Sequence, residues 1–399
     1  MEITDEMSAW MDRHRDHDPM RLRMRYHGTP EAERVNFMIL QMECRRKAAR
    51  KLPAFVANPR LVFPTALSAE QCTSELLATE HAALISPGSR VLDMTCGLGI
   101  DAMSLVRRAA SVVAVERDGV VAEAVRQNVD TLGLHNLTVV NDSCENYIRD
   151  GDSTYDCVFI DPARRGTEGK RLFALSDCSP DVTALLVDIQ ARASRLIIKS
   201  SPMLDIKRVL SELPHVAALY IYGTKKECKE LVVDVDFNRP EDDAIALHAV
   251  TVGDGFRNEV VFSGVDDVPT ASYDMPCAGD ILYEPYPAVM KSGCFNLLAH
   301  KYGLSKLHRD THLYLSPVSN QDFPGDRFMI EEIVPFSSKM IKGFSRRYDK
   351  INVATRNFMM RPEELKKRLG VKDGGDRMLF GVTLADGSAA LLIAKRIFA

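Results

Sequence analysis

The residues best suited to chemistry surround a glycine-rich turn in the first half of the chain. Segment 91–101 reads VLDMTCGLGID, in which a short apolar run leads to Gly97 and Gly99 and then to a helical pattern. Glycine lets the backbone approach a bound ligand, and the first turn of a helix carries N–H groups without a partner inside the helix. The pattern therefore predicts a ligand site at the mouth of an open α/β sheet.

Four carboxylates follow successive strand-like runs. Asp93 ends RVLD, Glu116 ends SVVAVE, Asp142 follows VVN, and Asp161 follows VFI. Parallel strands end at one edge of a sheet, so these side chains are expected to meet there. They suit S-adenosylmethionine. Asp93 can meet its ammonium through the loop or a water, Glu116 its ribose hydroxyls and Asp142 its adenine amine, while Asp161 lies next to the transferred methyl.

A second cofactor remains open at this stage. Gly97-x-Gly99-x-x-Ala102, with Glu116 in the acidic position, also matches the dinucleotide-binding fingerprint. That match is short and carries little specificity by itself. The four carboxylates in register with the glycine turn favour the methyl donor.

A second set of residues could act on the acceptor. Asp161, Lys199 at the end of RLIIKS, and Glu230 at the start of ELVVDV occupy positions comparable to those of ribose 2′-O-methyltransferases. There, a lysine of lowered pKa helps to deprotonate a hydroxyl. A fourth member could be Lys47 or Lys51. Alternatively, Lys199 only neutralises Asp161, which is the interpretation we favour.

Two arginines follow Asp161. Arg164 and Arg165 suit a phosphate or another anionic group of the substrate. They could equally pair with nearby acids such as Glu168 on a surface loop.

The elements that position these residues are predicted from the period of the apolar residues. Residues 1–85 show helical spacing, cut by prolines at 19, 30, 53, 59 and 64. Ser68 and Gln71 read as a capping box that begins one helix over residues 69–85. From residue 90, short β-branched runs alternate with helical stretches, which predicts βαβ units and a mostly parallel sheet with antiparallel strands at its end. Asp386-Gly387 predicts a hairpin turn.

Composition bounds the class of protein. The 399 residues are 46% apolar, carry a net charge of −4 and predict two to four domains. Nine cysteines without a CxxC spacing exclude a zinc ribbon and favour a reducing compartment. The acidic N-terminus is not expected to be a secretory signal, and no apolar run is long enough to span a membrane. We expect a cytoplasmic protein.

The motifs LDMTCGLGIDA, VVAVERD, VVNDS and IDPARR resemble the class I S-adenosylmethionine-dependent methyltransferases over about residues 86–240. The whole chain resembles a bacterial group in which this domain is flanked by a helical region, a ferredoxin-like module and a THUMP-like domain. EQCTSE at 70–75 resembles a segment that precedes the nucleotide fold, and GDRMLFGVTLADG resembles the THUMP-like end.

The resemblance implies an α/β fold: a Rossmann-like seven-stranded methyltransferase sheet with an N-terminal helical region and C-terminal α+β modules. We predict domains at 1–85 (helical), 86–250 (methyltransferase), 251–345 (ferredoxin-like) and 346–399 (THUMP-like). The predicted catalytic residues are Asp161, Arg164 and Lys199. The predicted cofactor-binding residues are Asp93, Thr95, Gly97, Gly99, Asp101, Glu116, Arg117, Asp142, Ser143 and Asp161. No metal is expected.

The motif after the fourth strand departs from well-known relatives. Base N-methyltransferases carry Asp/Asn-Pro-Pro followed by an aromatic residue, whereas this chain has Asp161-Pro162-Ala163-Arg164. Asp-Pro-Pro-Arg occurs in some RNA uridine methyltransferases, but those need a late nucleophilic cysteine in a Ser-Cys-Asn-Pro-like setting. Cys277 and Cys294 lack that context, and we interpret both as small core cysteines.

Two basic clusters lie outside the nucleotide fold. Residues 339–369 carry a net charge of +7 and residues 11–60 carry +6. Phe344, Tyr348 and Phe358 interleave with the later cluster and would allow base stacking. THUMP domains are associated with RNA-modifying enzymes, so the family implies an RNA substrate, either tRNA or rRNA.

The sequence thus predicts an S-adenosylmethionine-dependent methyltransferase acting on RNA. Two alternatives remain open: a small-molecule or protein methyltransferase on the same fold, and a non-catalytic RNA-binding module with a regulatory nucleotide site. The RNA species, the modified atom and the oligomeric state stay open.

Overall fold

The computed structural model describes residues 2–164, 174–241, 243–265, 267–268 and 270–398. The chain forms two compact units. The first unit comprises Met1–Ala217 and Val232–Asp243, and the second unit comprises Ala218–Leu231 and Ala244–Ala399.

Six helices precede the first strand. They are α1 (Asp5–His14), α2 (Pro19–Tyr26), α3 (Ala32–Ala48), α4 (Pro53–Ala57), α5 (Ala66–Gln71) and α6 (Glu75–Leu84). Pro19 and Pro53 occupy the first helical position of α2 and α4, where proline lacks only an N–H that the helix does not use. The core of this region packs apolar side chains of α1, α2 and α3, including Met7, Leu22 and Ile39.

The single helix predicted over residues 69–85 is wrong. α5 ends at Gln71, Cys72 adopts an extended conformation, and α6 begins at Glu75. The helix starts are set by Thr65 and Ser74, whose hydroxyls accept from the N–H groups of Ser68 at 3.0 Å and Leu77 at 3.3 Å. The Ser68–Gln71 capping box is therefore not the start of the long helix.

The larger sheet contains nine strands. They are β1 (Arg90–Asp93), β2 (Ser111–Glu116), β3 (Leu137–Asn141), β4 (Tyr155–Ile160), β7 (Ala193–Ser200), β8 (Val216–Gly223), β9 (Cys228–Asp236), β10 (Ala246–Gly253) and β11 (Phe256–Ser263). Their order is β11-β10-β8-β9-β7-β4-β1-β2-β3. The pairs β1–β2, β2–β3, β1–β4, β4–β7 and β8–β10 are parallel, and β10–β11 is antiparallel.

The prediction of a mostly parallel sheet is confirmed, but the count of seven strands is wrong. The antiparallel strands were expected at VAALYIYG, ELVVDVDF and AIALHAV, whereas β10 is parallel to β8 and the antiparallel edge strand is β11. β10 and β11 continue the sheet beyond β8 because β10 pairs with β8 over residues 246–251. β11 falls after residue 250, where the sequence suggested a new domain. The four-domain division itself stays a prediction.

Five helices connect strands of this sheet: α7 (Ile100–Leu105), α8 (Gly119–Leu132), α9 (Cys144–Asp150), α10 (Val182–Gln190) and α11 (Ile206–Glu212). A two-stranded sheet, β5 (Ala163–Arg164) with β6 (Cys178–Ser179), follows the end of β4. Buried residues such as Leu92, Val158 and Leu196 fill the sheet, so β1, β4 and β7 are covered on both faces.

The second unit also contains a seven-stranded sheet in the order β13-β14-β12-β15-β18-β17-β16. Its strands are β12 (Ile281–Pro285), β13 (Ser305–His308), β14 (Thr311–Ser316), β15 (Gly325–Pro335), β16 (Asn352–Arg356), β17 (Arg377–Thr383) and β18 (Ala389–Ile397). Its helices are α12 (Pro287–Ser292), α13 (Phe295–Tyr302), α14 (Ser338–Ile341), α15 (Phe344–Arg347) and α16 (Pro362–Leu369).

The hairpin predicted at Asp386-Gly387 is confirmed. Gly387 has φ +82°, and β17 and β18 pair antiparallel on either side of it. Among the described helices, none is both long enough and apolar enough to cross a membrane.

Candidate cofactor site

The glycine-rich turn lies between β1 and α7, as predicted. Gly97 and Gly99 have φ +55° and +80°, a region that side chains with a Cβ rarely adopt. A Cβ on Gly99 would lie 2.8 Å from Cγ1 of Val125 in α8, whereas a Cβ on Gly97 would meet nothing within 4 Å. Gly99 therefore allows α8 to pack against the turn, and Gly97 leaves open space above it.

Glu116 at the end of β2 is held by the backbone of this turn. One carboxylate oxygen accepts from the N–H of Gly97 at 2.9 Å, and the other accepts from the N–H of Asp118 at 2.9 Å. Each oxygen keeps a further lone pair. The two bonds fix the direction of the carboxylate, which can accept from a pair of neighbouring hydroxyls such as those of a ribose.

Asp93 at the end of β1 is the most unusual group of the site. Its side chain is 1% exposed; Oδ1 accepts from the N–H of Thr95 at 3.0 Å, and Oδ2 is buried without a hydrogen-bond partner among the described residues. Burial raises the pKa of Asp93 to about 8. A cation placed against Oδ2 would satisfy this oxygen and favour the ionised carboxylate.

Thr95 connects the ends of β1 and β4. Its hydroxyl accepts from the backbone N–H of Asp161 at 2.7 Å. The structure thus brings Asp93, Thr95 and Asp161 together at one edge of the sheet, as the sequence predicted. Asp161 is only partly buried, with its side chain 38% exposed.

Lys199 of β7 lies beside Asp161 within a buried polar network. Its ammonium donates to the Asp161 carboxylate and, at 2.8 Å, to the hydroxyl of Thr73, and it lies 3.7 Å from Oδ2 of Asp101. Thr73 donates in turn to Asp101, and His81 Nδ1 lies 2.7 Å from Oδ1 of Asp101. The ammonium is therefore shared between two carboxylates.

Asp101 is ionised within this network. Burial by itself would raise the pKa of Asp101, but the charge of Lys199 and the contacts with His81 and Thr73 hold it well below its usual range. Asp101 was predicted to bind the cofactor, but its carboxylate is instead engaged by these three side chains. Its contribution to cofactor binding stays a prediction.

Thr73 and His81 were not predicted from the sequence. Thr73 lies in the connection between α5 and α6, inside the EQCTSE segment noticed for its resemblance, and His81 lies on the buried side of α6. The resemblance of this segment is the feature of the sequence that points to Thr73. Lys51 lies beside it, because its ammonium donates to the carbonyl of Glu70 at 3.0 Å.

Asp142 and Ser143 follow β3 next to Glu116. The N–H of Asp142 donates to the Glu116 carbonyl at 3.2 Å, and Oδ1 of Asp142 accepts from the N–H of Ser143 at 2.7 Å. The Ser143 hydroxyl caps α9 by accepting from Asn146 at 3.2 Å. Asn141, which was not predicted, joins the two strand ends by donating to the Glu116 carbonyl at 2.8 Å.

The remaining predicted residues are less informative. Arg117 is exposed, and its carbonyl accepts from the Asn141 amide at 3.1 Å. Arg164 lies in β5 opposite Cys178, and Arg165 lies outside the described residues. Glu230 belongs to β9 within the second unit, so its grouping with Asp161 and Lys199 stays a prediction.

The predicted base-stacking aromatics are not available in the way the sequence suggested. Phe344 is buried, and Tyr348 and Phe358 pack against the same hydrophobic cluster. Of the two cysteines interpreted as core residues, Cys294 is buried but Cys277 is exposed. The interpretation of Cys277 was therefore wrong.

Three family models match separate segments of the chain. Residues 57–170 match a family described as conserved hypothetical protein 95, residues 282–324 a ferredoxin-like domain, and residues 325–396 a THUMP domain-like family. The THUMP-like match begins at residue 325 and the ferredoxin-like match at residue 282, and the predicted boundaries at 251 and 346 stay predictions.

One solved structure matches over the whole length. It is described as a candidate methyltransferase from Porphyromonas gingivalis W83, with 28% identity, a TM-score of 0.86 and coverage of 100% of both chains. The likeness extends over both units of the chain.

Curated relatives match a shorter part. The 23S rRNA (uracil(1939)-C(5))-methyltransferase RlmD of Enterobacter sp. (strain 638) is 30% identical over 148 residues, which are 34% of this chain and 32% of that protein. The protein of the same name from Salmonella choleraesuis (strain SC-B67) is 40% identical over 83 residues, 20% and 19% of the two chains. The chain thus spans a third or less of the length of these relatives. The chain therefore resembles a methyltransferase in its fold, and two of its segments match ferredoxin-like and THUMP-like domain families.

Proposed function

We propose that the protein transfers a methyl group from S-adenosylmethionine to RNA. The observation that carries this proposal is the buried Oδ2 of Asp93 at the end of β1, which has no hydrogen-bond partner among the described residues. The end of the neighbouring strand β2 carries the Glu116 carboxylate, which the Gly97 backbone orients. A buried carboxylate oxygen without a partner is costly unless a ligand completes it. The two acidic groups lie at adjacent strand ends and accept from different parts of one ligand.

The hydrogen-bond acceptors at the strand ends fit this cofactor. Asp93 would hold the methionine ammonium, Glu116 the ribose hydroxyls and Asp142 the adenine amine, each through a hydrogen bond to a carboxylate. Gly97 leaves open space for a ligand, Gly99 lets α8 pack against the turn, and Thr95 links the ends of β1 and β4. The cofactor supplies an electrophilic methyl group on its sulfonium.

The residues of the chain act mainly by orientation. Lys199 neutralises Asp161 and Asp101 and fixes the Asp161 carboxylate at the edge where the acceptor would enter. Because the ammonium already donates to Asp161 and Thr73, Lys199 is better suited to positioning than to accepting a proton. Arg164 is proposed to bind an anionic group of the acceptor.

RNA is the proposed acceptor for two reasons. Residues 325–396 resemble a THUMP domain, and the curated relatives carry the name of an rRNA methyltransferase. The +7 cluster at 339–369 is partly compensated, because Arg347 pairs with Glu332 and Lys366 with Asp373. Exposed cations remain for a polyanion, among them Lys339, Lys342, Arg346 and Lys350.

The +6 cluster at residues 11–60 contributes less to this surface. Arg23 pairs with Glu43, Arg34 pairs with Glu6, and Arg45 donates to the carbonyls of Val56, Asn58, Pro59 and Leu61. Much of this charge therefore stabilises the helical region instead of facing a partner.

The modified atom does not carry over from the relatives. Their name specifies uracil C5, and that chemistry uses a cysteine in a setting that Cys277 and Cys294 do not reproduce. Asp161-Pro162-Ala163-Arg164 also lacks the aromatic residue of base N-methyltransferases. We propose a cytoplasmic RNA methyltransferase without assigning its atom.

The test is transfer of radiolabelled methyl groups to RNA from a strain that lacks the gene. We expect label in that RNA and little in RNA from the parent strain, which is already methylated. Asp93→Asn should abolish transfer, and Asp130→Asn, an exposed aspartate of α8, should leave it unchanged. Label in protein or in small molecules would favour the alternative acceptors. Absence of cofactor binding would overturn the methyltransferase proposal.

A further inference from the structure

A cavity that the proposed function does not use lies in the second unit. It has a volume of about 650 Å³, and its wall includes Lys306, Arg309, His312, Phe295 and Tyr273. This volume is within the range of small-molecule pockets, about 300–1,000 Å³. Four of these residues fall inside the ferredoxin-like match at 282–324.

Lys306 is a buried cation in this wall. It is 2% exposed, and its ammonium donates to Oδ1 of Asn296 at 3.2 Å and to the carbonyl of Arg309 at 2.8 Å. Both acceptors are neutral, and Lys306 forms no ion pair with a carboxylate of the described residues. Burial lowers the pKa of Lys306, and the nearby charges of Asp267 and Asp310, which also line the cavity, offset only part of this effect. An anion in the cavity would offset the remainder.

The nearest carboxylates are committed elsewhere. Asp267 accepts from the N–H groups of Asn296 and Leu297, each at 2.8 Å, and so satisfies the start of α13. Asp310 is exposed at the rim and lies 3.6 Å from Nε of Arg309. Both acids also line the cavity, but their oxygens are engaged by these groups and not by the Lys306 ammonium.

Planar rings complete the cavity. Phe295 and His312 are stacked, with ring centroids 3.5 Å apart, and Nδ1 of His312 is buried without a partner among the described residues. Burial and the nearby Lys306 charge lower the pKa of His312 to about 4, so the ring is neutral and can exchange a hydrogen bond with a ligand. Tyr273 is 42% exposed at the mouth, held by its bridge to Lys306.

We propose that this cavity binds a nucleotide, with its phosphate against Lys306 and Arg309 and its base against Tyr273. Lys306 supplies a buried donor and Arg309 an exposed one, which together suit a phosphate group. The nucleotide could be free or part of an RNA strand, and the RNA source rests on the proposed function.

The experiment measures binding to the full chain by calorimetry, with uridine 5′-monophosphate, uridine and a single-stranded oligouridylate as probes. The variants are Lys306→Met, which keeps the length of the side chain, and Arg309→Gln, whose parent side chain is 79% exposed and whose change leaves the fold intact. Lys301→Gln, an exposed lysine of α13, is the matched control.

We expect Lys306→Met and Arg309→Gln each to weaken phosphate-dependent binding by about ten- to a hundredfold, and Lys301→Gln to leave it unchanged. An effect on the monophosphate identifies a free-nucleotide site. An effect on the oligouridylate alone identifies a strand site. The proposal is overturned if both variants bind the probes as tightly as the parent protein does, or if no probe binds. If Lys306→Met does not fold, Arg309→Gln decides.

Failure of this proposal is distinguishable from failure of the proposed function. Titration with S-adenosylhomocysteine reports on Asp93 and Glu116 in the first unit, which none of these variants changes. Cofactor binding with no effect at Lys306 or Arg309 removes only the cavity proposal. Loss of cofactor binding in the parent protein removes the methyltransferase proposal and leaves the nucleotide cavity standing.

Discussion

Glu116 combines two backbone hydrogen bonds with free lone pairs at the end of β2. If it accepts from ribose hydroxyls, Glu116→Ala should weaken S-adenosylhomocysteine binding by about ten- to a hundredfold, since hydrogen bonds to a charged acceptor contribute about 1.5–3 kcal/mol. Calorimetry on the folded variant measures this. Unchanged affinity would remove Glu116 from the cofactor site. Glu123→Ala, on the exposed side of α8, serves as the control.

The raised pKa of Asp93 predicts that the stability of the protein depends on pH. Its pKa rises from 3.8 to about 8 in the folded state because of burial. Between these values the folded state binds one more proton than the unfolded state, so this group lowers the free energy of unfolding as pH rises through that window. We expect the stability of Asp93→Asn, relative to that of the parent protein, to increase as the pH rises from 3.8 towards about 8.

Thermal unfolding of the parent protein, Asp93→Asn and the control Asp130→Asn across this window tests the prediction. A constant difference in melting temperature between the parent and Asp93→Asn would mean that Asp93 titrates normally. Because a bound cation favours ionised Asp93, S-adenosylhomocysteine should also reduce the pH dependence of the parent and leave that of Asp93→Asn unchanged.

Lys199 is expected to support the fold as well as the site. Lys199→Met leaves the buried Asp101 carboxylate without the lysine cation. Removing one partner of a buried ion pair costs about 3–5 kcal/mol. Thr73→Val removes only a neutral hydroxyl and should cost about 1–3 kcal/mol. Urea unfolding measures both, with exposed Lys47→Met as the control. A Lys199→Met protein as stable as the parent would show that the network carries no net energy.

At the residue scale, the acidic strand ends were predictable because each follows an apolar run directly in sequence. Thr73 and His81 were not, because their partner Asp101 lies 28 and 20 positions away along the chain. No local period marks such contacts. Asp101 was identified by its place in the motif, but no pattern in the sequence connects it with Lys199.

At the scale of elements, adding a side chain at Gly97 and adding one at Gly99 should have different effects on stability. Gly99→Ala introduces a left-handed residue and a Cβ 2.8 Å from Val125, which together should cost about 2–5 kcal/mol. Gly97→Ala introduces only the backbone strain, about 1–2 kcal/mol. Chemical denaturation of the two variants measures the difference.

The close contact with Val125 can be relieved separately. Shortening this side chain should recover part of the stability of Gly99→Ala, so the double variant Gly99→Ala/Val125→Ala should lose less than the sum of the two single changes. Simple additivity would show that Val125 does not limit the space above Gly99. The sequence predicted the turn but not this difference, because α8 meets Gly99 only in the folded chain.

Strand existence was predictable from period and β-branched composition, and the extent of the sheet was not. β10 and β11 have the same local pattern whether they extend the first sheet or begin another. The break between α5 and α6 was missed because Thr65 and Ser74, and not Ser68, provide the capping hydroxyls. Choosing among neighbouring hydroxyl residues requires the backbone geometry.

At the scale of the whole molecule, RNA binding should depend strongly on salt. The logarithm of affinity for single-stranded RNA is expected to fall linearly with the logarithm of salt concentration, by about 0.7 for each phosphate contacted. Changing Lys339, Lys342 and Arg346 to glutamine should reduce that slope by about 2. Electrophoretic mobility at several salt concentrations measures it, with Lys301→Gln as the control. A slope near zero would contradict a polyanion surface.

The buried network also decides how far the protein can be shortened. Thr73 and His81 reach Asp101 from the region that precedes β1, so part of the buried interior beside the larger sheet is formed by the amino-terminal region. A chain that begins at β1 would expose Asp101 and Lys199, which are buried in the full protein, to water. Dissection of this protein should therefore retain everything upstream of the first strand.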